Sequence, residues 1–235
     1  MKQEYAALRP ERIIATIEQL HARIMQRFPK AGLSEVCAEL NDTARFSARD
    51  AAKLSRPSYL WRFASLFLIA AGVVAQVAAF RFLRVEDGAM TAPELVQGLE
   101  AAVNLLILFG GAVWFILTLE ERSKRRRALD ALHRLRSLAH VIDMHQLTKD
   151  PTVLLDEHKT AASPERTMTQ FELTRYLDYC AEMLALIGKL AALYAERVRD
   201  SVVINSVNDV ENLTAGLGRK IWQKITIIGA LAERG

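Results

Sequence analysis

The chain has 235 residues, 51% hydrophobic and 25% charged, with a formal net charge of +4 at pH 7. With only six prolines and eleven glycines to interrupt it, and Ala, Leu, Glu and Arg abundant, helix propensity is high almost throughout and an all-α fold is expected. The two cysteines, Cys37 and Cys180, have no disulfide-like spacing and fall on apolar helix faces, which fits a reducing compartment; the charged opening MKQEYAALRPERIIATIEQL lacks the apolar stretch and cleavage site of a secretory signal.

Residues 1–57 read as N-terminal cytoplasmic helices. Pro10 opens one through ERIIATIEQLHARIMQRF, stopped at Pro29, and Gly32 precedes another from about Ser34 towards Pro57. Residues 58–120 read as a transmembrane hairpin. The run 60–80, LWRFASLFLIAAGVVAQVAAF, and the uncharged run 101–119, AAVNLLILFGGAVWFILTL, each match the length a helix needs to cross a hydrocarbon core of about 30 Å. Soluble core helices are seldom apolar on every face. The outer loop is 81–100, and Trp61 and Trp114 suit membrane-associated positions.

Orientation follows the cations. Arg49, Lys53, Arg56 and Arg62 precede the first span, and Arg122, Lys124, Arg125, Arg126 and Arg127 follow the second. The loop balances Arg81 and Arg84 with Glu86, Asp87, Glu94 and Glu100, so both termini face the cytoplasm. RSKRRR at a membrane exit is a topology anchor that draws anionic lipid head groups rather than a nucleic-acid patch. Within the spans, Ala71, Ala75 and Ala79 form a small-xxx-small row for close helix approach, and Gly110 and Gly111 thin the second span. Gln76 and Asn104 fall at similar depth, where they hydrogen-bond to each other or line a pore in an oligomer.

Thr91-Ala-Pro-Glu94 resembles a capping box. From there the helix is expected to run unbroken to about Leu147, roughly 80 Å at the usual rise per residue. Residues 148–168 read as a loop. Thr169-x-x-Glu172 caps another helix, on which Leu173, Leu177, Cys180, Leu184, Ile187, Ala191, Tyr194 and Val198 alternate in steps of four and three. That is a heptad seam needing a partner helix, and Val202–Leu231 offers one with Val207, Val210, Leu217, Ile221, Ile225 and Ile228; Trp222 is a core or interface anchor. Residues 121–235 are thus a C-terminal cytoplasmic helical domain. Together with the N-terminal helices it forms a bundle of about five.

The stretch AHVIDMHQL raises the question of a metal site. His140 and Asp143 are three apart and able to pair, but His140 and His145 are five apart, whereas a helical two-histidine site wants four. A site here needs further residues, such as His133, or Glu172, Asp178 or Tyr179 from another helix. GLGRK, 216–220, lacks the spacing of a phosphate-binding P-loop. No nucleophile elbow or cysteine cluster is present, and no cofactor is indicated.

The order of cytoplasmic helix, two-span hairpin and further cytoplasmic helices resembles the SLATT-type bacterial membrane proteins. That resemblance implies a multi-pass oligomer of the bacterial inner membrane that perturbs the bilayer when a cytoplasmic sensing partner instructs it. The expectation is a non-enzymatic homo-oligomer acting as a scaffold, assembly subunit or gated pore, with a protein partner in the cytoplasm. The alternative is a membrane-tethered metal-dependent enzyme built on His140, Asp143 and His145.

Overall fold

A computed structural model describes residues 8–54, 59–84, 92–149 and 168–232. The described residues form six helices and no strand: α1 (Pro10–Arg27), α2 (Gly32–Leu54), α3 (Tyr59–Arg84), α4 (Ala92–Leu147), α5 (Gln170–Arg197) and α6 (Ser201–Ala232). The chain divides into two compact units, one of Met1–Ser55 with Arg125–Gly235, the other of Arg56–Lys124.

The first unit is a helical bundle. α1 has Pro10 in its first turn, where the missing N–H costs nothing, and buries Ile13, Ile17, Leu20 and Ile24 in steps of four and three. Phe28 closes it by donating its N–H to the Ile24 carbonyl at 2.7 Å, and Pro29 prevents continuation. α2 buries Leu33, Val36, Cys37, Leu40 and Ala44. From Ala128 onward α4 contributes one stripe, with Ala128, Ala131, Leu132, Leu135, Ala139 and Ile142 all buried. α6 adds Val203, Val207, Val210, Leu217, Ile221 and Ile228.

At the centre lies α5, which is buried more widely than a single heptad seam requires. Every seam position from Leu173 to Tyr194 is buried, but so are Tyr176, Tyr179, Met183, Leu186, Leu190 and Leu193. The expected partner covers the seam, since α6 is the helix against which α5 packs most extensively, and α1 and α2 pack against α5 as well. Neighbours cover it on several sides, which requires apolar residues around most of its circumference. Its N-terminus is set by the expected capping box: the Glu172 N–H donates to Thr169 Oγ1 at 3.2 Å, and the Thr169 N–H donates to Glu172 Oε2 at 2.8 Å. The two thiols are sealed in this core. Burial pushes both Cys37 and Cys180 up to about 12, so neither is a ready nucleophile.

Some boundaries shift. Residues 81–84, at the start of the expected outer loop, are helical, and α4 runs unbroken from Ala92 to Leu147 as the sequence leads one to expect. The Thr91 cap and residues 150–167 of the expected loop lie outside the described residues.

Two substitutions test this core by chemical denaturation of the detergent-solubilised protein. Leu177→Ala empties a fully buried position and is expected to cost about 2–5 kcal/mol. Thr169→Ala removes one capping acceptor and is expected to cost about 1 kcal/mol.

Candidate functional site

The second unit has the opposite surface. α4 holds a stretch long and apolar enough to cross a membrane, with none of that window buried. In α3 the apolar stretch Phe63–Ala78 is shorter. Phe67, Leu106 and Trp114 are 75%, 72% and 71% exposed. Single exposed apolar residues are ordinary, but a continuous field of large ones calls for a lipid or protein partner.

α3 and α4 meet at a residue that the small-residue row passed over. A Cβ placed on Gly72 falls 3.0 Å from Cγ of the Phe109 ring, so only glycine lets the aromatic ring lie against the α3 backbone without displacement. Ala71, Ala75 and Gln76 are half-buried beside it, while the side chain of Ala79 lies outside the described residues. The expected Gln76–Asn104 hydrogen bond is not formed among the described residues. Asn104 and Phe109 are five positions apart, about 140° around the helix, so Asn104 faces away from α3 and is exposed. Gly110 and Gly111 are also exposed, with open space where a side chain would be. Matching depth was legible; matching face was not.

The basic run is not one uniform anchor. Lys124 pairs with Glu120 at 2.8 Å within α4. Arg125 is committed to the bundle: its Nε donates to Asp200 Oδ2 at 2.7 Å, and a second guanidinium nitrogen reaches the same oxygen at 2.6 Å. Asp200 Oδ1 also accepts the Val202 and Val203 N–H groups at the start of α6, at 2.9 and 3.2 Å. Arg122, Arg126 and Arg127 make no ion pair among the described residues and remain for solvent or head groups. Partial burial raises the Asp200 pKa, but the Arg125 guanidinium and the two backbone donors outweigh that effect and hold it below the ordinary value.

The His140, Asp143 and His145 side chains are not brought together. His140 is exposed. Asp143 accepts instead from Gln146 Nε2 at 2.6 Å, and His145 Nδ1 lies 3.4 Å from the Tyr176 hydroxyl. Among the described residues no group of three or more His, Cys, Asp or Glu side chains is placed to hold a metal ion. The last turn of α4 serves another purpose, since Lys224 of α6 donates to the Gln146 carbonyl at 2.9 Å and satisfies an orphan acceptor at the helix end. Compared with protein-family models, curated proteins and solved structures, the chain has no match.

Two outcomes follow from these contacts. Gly72→Leu is expected to lower stability in detergent by about 1–3 kcal/mol through overpacking against Phe109, whereas Gly110→Leu leaves it unchanged; calorimetry of both variants distinguishes them. The folded pKa of Asp200 lies below the unfolded value of about 3.9. Its stabilisation is therefore complete above that value and is lost as pH falls through the folded pKa. Asp200→Asn is expected to flatten that acid limb in thermal melts.

Proposed function

We propose that this chain is a non-enzymatic, oligomeric protein of the bacterial inner membrane. The hairpin of α3 and the first part of α4 is embedded in lipid with both termini on the cytoplasmic side, and the helical bundle serves there as an assembly scaffold. Support for embedding comes from the unburied apolar surface of Arg56–Lys124 and from the exposed cations Arg122, Arg126 and Arg127 that follow the second span. The cytoplasmic partner and the SLATT-like role belong to the same proposal.

One observation carries the oligomer. Asn104 is exposed on an otherwise apolar helix surface, where its amide has no hydrogen-bond partner among the described residues. Asn104, Leu108, Gly111 and Phe115 are spaced four, three and four apart and are all exposed, on the side of α4 turned from Phe109. In hydrocarbon an amide seeks a partner, and a helix thinned at Gly111 allows a second copy to approach and supply one. Such contacts contribute about 1 kcal/mol each. In the bundle the apolar face of α5 is covered within the chain, while Phe171 and Trp222 are exposed.

Oxidative cross-linking in native membranes tests this. With Cys37 and Cys180 buried, Asn104→Cys is expected to give a disulfide-linked dimer, and Leu105→Cys, on the half-buried side, very little. Equal cross-linking at both positions, or none at either, contradicts the interface. If the oligomer is also a pore, Asn104 is its polar ring, and reconstituted liposomes show an ion flux that Asn104→Leu removes.

A further inference from the structure

At the end of the bundle where α1 turns into α2, an open cleft of about 490 Å³ lies between the α1–α2 turn, the last turn of α4 and the start of α5. Its polar lining is strongly biased towards donors. Lys30 comes from the turn, and Lys149 and His145 from the end of α4. Neither lysine has a carboxylate partner among the described residues. The Lys149 ammonium lies 5.2 Å from the centre of the Tyr176 ring, held by an aromatic face rather than neutralised by an anion. The Tyr176 hydroxyl approaches His145 Nδ1 at 3.4 Å, and burial pushes its pKa up, so it stays a neutral donor.

Among the described residues the one carboxylate in the lining is Glu172. Its Oε2 accepts the Thr169 N–H and hydroxyl, each at 2.8 Å, so this carboxylate is engaged in capping the start of α5. Gly32, the first residue of α2, also lines the space, so the positive end of that helix dipole adds to the same field. A Cβ at Gly32 would come within 3.0 Å of His145 Cε1. The absence of a side chain there keeps the imidazole in place. Phe28 and Met168 supply an apolar wall, and the volume falls in the usual range for sites that enclose a small organic molecule rather than a bare ion.

We infer that this cleft binds a small phosphorylated organic anion, with the phosphoryl group between Lys30 and Lys149 and the organic part against Phe28, Met168 and Tyr176. Two cations and a phenolic donor suit phosphate oxygens, which accept several charge-assisted hydrogen bonds at once. The same chemistry is offered by a soluble phosphate ester and by the head group of a phospholipid. The inference does not rest on the membrane reading.

Calorimetric titration of the full chain in mild neutral detergent tests it, using glycerol 3-phosphate and dihexanoyl phosphatidic acid as probes. Saturable binding is expected, weakened about tenfold in Lys149→Gln and in Lys30→Gln. Lys149→Arg retains it, and Lys189→Gln, an exposed cation elsewhere on α5, leaves it unchanged. Lysine-dependent binding of glycerol 3-phosphate supports the site and assigns it to a soluble ester. The same dependence seen only with the acylated probe supports the site and assigns it to lipid. No saturable binding of either probe, or binding equally strong in both lysine-to-glutamine variants, overturns the inference. Lys30 sits on an exposed turn, so its variant remains informative even if Lys149→Gln perturbs the end of α4.

Discussion

The constraint on which the rest depends is that α4 is one uninterrupted helix with two incompatible side-chain patterns. Its backbone satisfies its own hydrogen bonds at every turn, so the main chain can pass through any environment unchanged. Only the side chains register a difference. Before the basic run the helix is apolar on nearly every face and mostly exposed; after it, one stripe from Ala128 to Ile142 is buried and the remainder is largely polar, with Val141, Met144 and Leu147 exposed. The change falls between Glu120 and Arg127, where Lys124 is held within the helix and Arg125 is tied to the start of α6. A charge cluster at this point both marks the end of the apolar stretch and fastens the helix into the bundle.

Within the bundle the burden falls on α5. Its flanking helices each present one apolar face, and those faces close only around a helix that is apolar on several sides. That is why thirteen of its residues are buried, and why polar anchors sit at its margins. Arg23 of α1 forms a bidentate pair with Glu182, at 3.1 Å through one guanidinium nitrogen and more closely through the other. Arg175 pairs with Asp178 at 2.9 Å. Arg23 and Arg175 both lie over the Tyr179 ring. These partly exposed contacts fix register more than they add stability.

Much of this was legible in the sequence. Punctuation by Pro10, Pro29, Gly32 and Thr169-x-x-Glu172 located four helix ends closely, because caps and prolines act through local chemistry. The steps of four and three on α1 and α6 gave their buried faces for the same reason. What escaped was anything decided by azimuth or by a distant partner. The second apolar stripe of α5, through Tyr176, Met183 and Leu190, was present in the letters but was eclipsed by a seam that already satisfied the heptad pattern. Gly72 was passed over because the alanine row suggested a face, whereas the close approach is set by the bulk of Phe109 opposite. Asn104 and Gln76 matched in depth but not in rotation. The cleft could not be read at all, since Lys30, Lys149 and Tyr176 are far apart in the chain and are gathered only by packing. His145 drew notice as a metal ligand, and its neighbours give it a different setting.

The proposed division of apolar side chains into those that face protein and those that face lipid is measured most directly by spin-label accessibility. With nitroxides placed singly at Phe67, Leu106, Trp114 and Met144 in reconstituted bilayers, that division predicts high oxygen and low nickel-chelate accessibility at the first three. Met144, exposed on the bundle end of α4, should show the reverse. Free access of the water-soluble nickel reagent to positions 67, 106 and 114 would contradict it.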